Sequence, residues 1–522
     1  MLLKKYIFVF ILLLFSIYCA ISVGESWDER YELLRGKTTL DYLFSLGSIN
    51  NYIPHREDNS TMYFSFSFLI SQMFPIKYQI EVSHIINLVF SLGTIYGLGK
   101  IGKELFGKKI GYIAFILLFF LPSFFGHMAI NSKDTIIAFS HVWIFYLVIR
   151  YLKKQTRNLE TFKYVIFIAV LASLGTGIKL VFIGSLLPIV LFIFLEIFFT
   201  KRILNKNFYK TKFLYDLVFS FLIFYIVLLF FWVDVHPNIF KLPINYFLEL
   251  FSSTRFMGWP FNLSNGEYFL SREVPNGYFL INLLFKLPEF IIVLYLIFIV
   301  FFFQINKFFQ KNIENFKYKI CFFILILLLP NFVLISTSFP AYDGIRLFLW
   351  VLPYVCLIPA LTIYYLYKNL KYLHLKILSI ILFILMSYFF VNFLSITPYQ
   401  YTYLNILNGK KDERFKRFEN DYWGVSLKKL LSNVNFKKNK FNKIATCGVN
   451  LEIVKIYLKK ENITNVEYVH ANNAEYIIMT NRVVKLEEKS NSLINCFEKF
   501  PGRDISVVKA NGVILSRVRA LN

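Results

Sequence analysis

The feature that most constrains this chain is an alternation of apolar runs and short loops in which every second loop is basic. A helix needs roughly 20 apolar residues to cross the hydrocarbon core of a bilayer. Runs of that kind lie at 6–23, 82–99, 110–126, 135–150, 213–233, 279–304, 320–338, 347–366 and 377–394. A further run, 162–199, is too long for one helix, and Gly175-Thr176-Gly177 is expected to break it into a hairpin with Lys179 at the turn. The total is about eleven spans.

The basic residues decide orientation. Lys100, Lys103, Lys108 and Lys109 fall in one loop, Arg150, Lys153, Lys154 and Arg157 in the next but one, and Lys201 to Lys212, Lys307 to Lys319 and Lys368 to Lys376 in later ones. Loops rich in Lys and Arg stay on the cytoplasmic side. Every second loop then lies inside, the N-terminus is cytoplasmic, and the region after the last span lies outside. Residues 6–23 behind Lys4 and Lys5 also look like a secretory signal, with Ser22-Val23-Gly24 as a weak cleavage-like triplet. The many spans that follow favour an uncleaved first span.

Composition agrees. The chain is 57% hydrophobic and 17% charged, with a mean hydropathy of +0.55, whereas soluble domains carry about 25% charged residues. The net charge of +25 would suggest nucleic acid in a soluble protein. Here the surplus sits in the inner loops, so no nucleic-acid partner is expected.

The expected architecture is a polytopic α-helical membrane domain over 1–396, with a first outer loop at 24–80 and a large outer loop at 234–278. A small periplasmic α/β or α+β domain follows over 397–522. Met62 to Phe74 is apolar but short, which suits an interfacial or re-entrant helix. In the last region Leu451 to Lys460 reads as an amphipathic helix, and Glu475 to Thr480, Ile505 to Val508 and Val513 to Val518 read as strands. Cys19, Cys321 and Cys356 lie in apolar runs as small hydrophobes. Cys447 and Cys496 lie in the polar region, where a disulfide is permitted without being implied.

With this topology the unusual polar residues share the outer face. Trp27-Asp28-Glu29-Arg30 follows the first span, and Glu57 and Asp58 lie in the same loop. His127, Asn131, Lys133 and Asp134 form the next outer loop, and Lys179, Asp343 and Arg346 close later ones. The middles of the spans are almost free of ionisable groups. Transporters usually place such groups near the midplane. A membrane transporter or lipid flippase with a structural periplasmic domain is the alternative, and the internal repeat it would show is not visible. Carboxylates can deprotonate an acceptor hydroxyl or steady an oxocarbenium charge. Lys and Arg at the rim can hold a lipid-linked phosphate. No cluster has metal-ligand spacing, and no Ser-His-Asp or Cys-His order stands out.

Several motifs together resemble the GT-C membrane glycosyltransferases, specifically bacterial relatives of the dolichyl-phosphate-mannose protein mannosyltransferases of glycosyltransferase family 39. Asp28-Glu29 stands where that family carries an acidic pair, just after the first span. His127 to Asp134 (HMAINSKD) is similar to its second acidic loop, and Pro275-Asn276-Gly277-Tyr278 with Lys286-Leu287-Pro288 to its late loop-to-span junction. Tyr342-Asp343-Gly344-Ile345-Arg346 matches a segment that usually continues with His, where this chain has Leu347. Pro398-Tyr399, Tyr403-Leu404-Asn405 and Asp421-Tyr422-Trp423-Gly424 resemble the segments after the last span.

The resemblance implies a GT-C-like fold and an inverting transfer from a polyprenyl-phosphate sugar donor to a glycan, lipid or protein acceptor at the outer face of the inner membrane. It implies no cofactor and no obligatory metal. Asp28 would be the base, Glu29 its support or an acceptor contact, and Asp134 the second acid. Lys133 would lie beside the donor phosphate, with Lys179 and Arg346 as further phosphate ligands. His127, Asn131, Asp343, Glu57 and Asp58 are further candidates.

Overall fold

The structure is a computed structural model that describes residues 2–49, 59–157, 159–249, 258–337, 339–434, 436, 441–488 and 490–521. Glu57 and Asp58 fall outside the described residues. All the apolar runs are helical. Among the described residues, seven helices are long and apolar enough to cross a membrane: Ile76–Phe106, Asp134–Lys154, Phe182–Thr200, Lys210–Phe230, Phe316–Ser336, Arg346–Lys368 and Leu373–Ser395. An eighth unit is the pair Tyr278–Lys286 and Glu289–Val300, and Tyr6–Ser22 and Phe162–Ile178 are shorter apolar helices. The chain is an integral multi-pass membrane protein.

Burial sorts these helices. Asp134–Lys154 and Arg346–Lys368 are central, with 78% and 83% of their most apolar window buried. Lys210–Phe230 and Leu373–Ser395 are peripheral, with 11% and 17% buried. Apolar residues around the whole circumference of a helix that protein covers so little require lipid on the other side. A helix of 21 residues such as Asp134–Lys154 spans about 30 Å. Its two ends therefore lie on opposite faces of the bilayer. Its C-terminal end carries Arg150 and Lys153, both paired with Glu104; its N-terminal end carries Asp134.

Two expectations are corrected. The segment Gly175-Thr176-Gly177 does not break the helix, which runs on to Ile178, and the turn comes at Lys179. The glycines are there for close packing: a Cβ on Gly175 would lie 2.5 Å from the Phe182 ring, and one on Gly177 would lie 3.0 Å from Ser60. The run 279–304 is not one straight span. Its two helices meet at 114°, because Pro288 in extended conformation follows Lys286-Leu287 and cannot donate the hydrogen bond that would carry the first helix onward.

After the first span, a helix at Glu29–Phe44 and a short one at Met62–Ser71 pack together so closely that Gly36 meets the Phe64 carbonyl. The large loop after Lys210–Phe230 holds a hairpin, Phe261–Ser264 with Glu267–Leu270. In the C-terminal region a five-stranded mixed sheet has the order Val466–Tyr468, Asn442–Cys447, Tyr476–Thr480, Val513–Ala520, Arg503–Ala510. The first three strands are parallel and the last two pairings antiparallel. The helix Leu451–Lys460 and the three expected strands are present. Asn442–Cys447 and Val466–Tyr468 were not read from sequence, being short and interrupted by Lys443 and Glu467. Cys447 and Cys496 form a disulfide.

This region is fastened to the loop that follows the first span. Gly24 N–H donates to the Val425 carbonyl at 3.0 Å, and Glu25 N–H to the Tyr457 hydroxyl at 2.7 Å. Asn450 Nδ2 donates to the Trp27 carbonyl at 3.2 Å. The chain around Asp28 is thus held from above by the strand-rich region.

Candidate functional site

Asp28 stands at the head of the helix Glu29–Phe44, and its side chain makes no cap bond. Its carboxylate is 39% exposed, with Oδ2 3.4 Å from Lys133 Nζ. The same ammonium lies 2.6 Å from Glu32 Oε1. Glu32 follows Asp28 by four residues, and that spacing puts both carboxylates on one side of the helix.

Lys133 and Asp134 open the helix Asp134–Lys154. Asn131 orders this entry. Its Oδ1 accepts from Asp134 N–H at 2.8 Å and Lys133 N–H at 3.3 Å, and its Nδ2 donates to Asp134 Oδ2 at 3.1 Å. The first helical N–H groups are therefore satisfied, and the anion at Asp134 is favoured by the helix terminus. Asp134 is buried, and two cations hold it: Lys179 Nζ at 2.7 Å from Oδ1 and Arg346 Nε at 3.1 Å from Oδ2. Lys179 arrives at the end of the helix Phe162–Ile178, and Arg346 begins the segment that leads into Leu357–Lys368.

From Arg346 the ladder continues. Arg346 NH1 lies 2.6 Å from Asp343 Oδ2, and Arg482 NH1 lies 3.1 Å from Asp343 Oδ1. Asp343 and Gly344 both have positive φ, +58° and +68°, a conformation that Asp and Gly tolerate better than bulkier residues. It turns the Asp343 side chain back toward Arg346. Arg346 stacks 4.8 Å from the Trp423 ring. Arg482 stacks 4.3 Å from Trp259 and 5.6 Å from Trp27, and these two rings pack edge to face.

Glu29 points elsewhere. It is buried, accepts from Ser26 N–H, and has Oε1 2.8 Å from His84 Nε2. The resemblance implied that it supports the base or contacts the acceptor; in the structure its side chain faces His84 and the packed helices. His127 lies one layer behind the ladder. Its Nδ1 donates to the Ser123 carbonyl at 2.5 Å, and its Nε2 accepts from the Tyr422 hydroxyl at 2.7 Å. Burial holds its imidazole down to about 4, so it is neutral at physiological pH. Glu419, buried below Arg482, is pushed up to about 7, chiefly by burial.

The structure thus brings together Asp28, Asn131, Lys133, Asp134, Lys179, Asp343 and Arg346, from four loops of the sequence. It adds three groups that were not read from sequence. Glu32 was recoverable from its spacing to Asp28. His84 lies at the polar start of the helix Gln79–Phe106, beside Glu81, Ser83 and Asn87, within a stretch read as part of an apolar span. Arg482 lies 136 residues beyond Arg346 (482 − 346) in an unrelated element, and no sequence signal points to it. Among the described residues, no group of three or more His, Cys, Asp or Glu side chains is placed to hold a metal ion.

Residues 64–230 match the model of the dolichyl-phosphate-mannose-protein mannosyltransferase family. No curated protein matches the chain. Among solved structures, the apo form of ArnT from Cupriavidus metallidurans is similar, with a TM-score of 0.51 and 8% identity over 99% of this chain and 97% of that one. ArnT from the same organism bound to undecaprenyl phosphate has a TM-score of 0.49 and 10% identity, over 99% and 98%. The oligosaccharyltransferase AglB from Archaeoglobus fulgidus, in complex with an inhibitory peptide and a dolichol-phosphate, has a TM-score of 0.41 and 11% identity, over 91% and 70%. The chain therefore has the GT-C fold that its motifs implied, with a strand-bearing C-terminal region.

Proposed function

We propose that this protein is a membrane glycosyltransferase that moves a sugar from a polyprenyl-phosphate donor to an acceptor hydroxyl, with inversion, at the outer face of an inner membrane. The observation that carries the reading is the contrast in one polar site between Asp28, partly exposed with Lys133 at 3.4 Å, and the cation-rich ladder beside it. The match of residues 64–230 to a family named for a lipid-phosphate sugar donor supports the substrate class.

In this reading Asp28 accepts the proton of the acceptor hydroxyl as its oxygen bonds to the anomeric carbon. The bond from that carbon to the phosphate oxygen breaks, and the lipid phosphate leaves with the electron pair. Lys133, Lys179 and Arg346 meet the charge it gains. Preorganised cations in a site shielded from water are effective for this purpose, because they need not reorient as charge develops. Asp134 orients Lys179 and Arg346, and the step requires no metal. The Cys447–Cys496 disulfide supports placing the C-terminal region in an oxidising compartment. The clustering of the polar groups at one end of the helices supports an enzyme over a transporter.

The test is mass spectrometry of envelope glycans and polyprenyl-phosphate sugars in a deletion strain. One accumulated lipid-phosphate sugar together with one missing sugar on a protein, lipid or polysaccharide is the expected outcome. Unchanged pools of both would overturn the reading.

A further inference from the structure

Arg482 belongs to the strand-rich region, yet its guanidinium lies in the polar site between the helices. One Asp343 carboxylate holds two guanidinium groups, Arg346 on Oδ2 and Arg482 on Oδ1. Arg482 NH1 also donates to the Tyr422 carbonyl at 2.6 Å. All of these side chains are buried, so the charges act on one another with little screening. A carboxylate and a guanidinium favour a two-pronged pairing. Without Arg482, both oxygens of Asp343 would be open to Arg346. The guanidinium would then be drawn away from Asp134 and from any phosphate beside it.

The disulfide lies directly behind this arginine. Cys496 N–H donates to the Arg482 carbonyl at 3.0 Å, and the Thr480 hydroxyl donates to the Gly448 carbonyl at 2.8 Å. Gly448 has φ +68°, and a Cβ there would stand 2.6 Å from Arg482 Cβ and 3.2 Å from Cys496 Sγ. Cys447, Gly448, Arg482 and Cys496 form one packed corner. On its far side Trp259 Nε1 donates to the Val483 carbonyl at 3.0 Å, and Val483 N–H donates to Glu419 Oε1 at 3.0 Å.

We propose that Arg482 is a positioning residue of the donor-phosphate site, that it keeps Arg346 available by occupying half of Asp343, and that the Cys447–Cys496 disulfide holds it in place. The C-terminal region is then a working part of the site, and lipid-phosphate affinity depends on the redox state of the protein. Reduction by dithiothreitol breaks the Cys447–Cys496 bond. The two sulfurs take two electrons and two protons, and the reagent closes to its own cyclic disulfide.

The proposal rests on the phosphate site of the proposed function, and the test separates the two. Binding of undecaprenyl phosphate to the full-length protein in lipid nanodiscs is measured with and without dithiothreitol. Arg482→Met is expected to weaken binding about tenfold, the scale of a hydrogen bond to a charged group at the lower end of its range, and Arg482→Lys is expected to recover most of it. Arg482→Met combined with Asp343→Asn is expected to bind more tightly than Arg482→Met alone, because the released carboxylate no longer captures Arg346. A merely structural arginine would not give that recovery. Reductant is expected to weaken binding by the wild type several-fold, reversibly on reoxidation, and to leave Arg482→Met unchanged. Cys447→Ser with Cys496→Ser should match the reduced wild type. Where Arg482→Met does not fold, the lysine variant and the reductant still decide. Wild-type binding that neither reductant nor Arg482→Met alters would overturn this proposal alone. No binding by the wild type would overturn the proposed function with it.

Discussion

Asp28 and Asp134 both open helices in the same polar site, and their surroundings differ in burial and in the cations that reach them. Asp134 is buried, with each oxygen on its own cation at 2.7 and 3.1 Å and a carboxamide adding a third donor. Asp28 is 39% exposed, lacks a cap bond, and has Lys133 at 3.4 Å. A carboxylate clamped by two cations is a poor proton acceptor, because protonation would strand both charges. A carboxylate with slack and access to solvent can take a proton and release it. The cations differ as well, Lys133 beside Asp28 and Lys179 with Arg346 on Asp134, so the contrast follows from which cations reach each carboxylate and how closely.

The largest effect that would sharpen this comparison is on turnover. Asp28→Asn should reduce sugar transfer by about 10²–10⁴-fold, the usual contribution of a positioned base, while expression and thermal stability stay near wild type. Transfer assays on the purified protein with a polyprenyl-phosphate sugar decide it, and undiminished turnover would remove Asp28 from the role. Asp134→Asn should act in the opposite sense. It leaves Lys179 and Arg346 without their shared anion, so a loss of about 3–5 kcal/mol in stability is expected, read as a fall in melting temperature. A variant that melts like wild type would show that the clamp is not holding the site.

Glu29→Gln tests the neighbour that faces away. Losing the charge opposite His84 should cost about 1–3 kcal/mol, with turnover at permissive temperature retained. A turnover loss as large as that of Asp28→Asn would place Glu29 in the chemistry instead.

The smallest effects concern pH. His127 is held at about 4 in the folded protein against 6.5 otherwise, so the unfolded chain binds the extra proton first. Stability therefore falls as pH drops from about 6.5 toward 4. Glu419 is raised to about 7 from 4.5, so the folded chain holds the extra proton. That contribution is present below about 4.5 and fades as pH rises toward 7. Melting curves between pH 4.5 and 7.5 should show His127→Gln flattening the acid-side loss and Glu419→Gln flattening the loss toward neutrality. Slopes identical to wild type in both would argue against these protonation states.

How much was legible beforehand differed by kind of information. The helical runs and the gathering of Asp28, Lys133, Asp134, Lys179 and Arg346 were open to reading, because apolar length and loop charge are local properties that a bilayer enforces. Against the roughly eleven spans expected, the described residues hold seven helices long and apolar enough to cross, or eight with the bent pair. The expected break at Gly175-Thr176-Gly177 was wrong because glycine in a tightly packed helix serves close approach as readily as it serves a turn. The strands Asn442–Cys447 and Val466–Tyr468 were missed because three to six residues carry too little periodicity to stand out.

What the sequence by itself determined is the class of molecule, a multi-pass helical membrane protein with a strand-bearing C-terminal region. Which charge meets which was decided only in three dimensions. Asp28 and Glu29 are adjacent in sequence, but consecutive residues on a helix point about 100° apart. Packing sent one toward Lys133 and the other toward His84. Arg482 reaches Asp343 because a disulfide-bonded corner of a distant sheet is docked over the helices. Contacts between residues far apart in the chain depend on the whole packed arrangement, and no local pattern carries them.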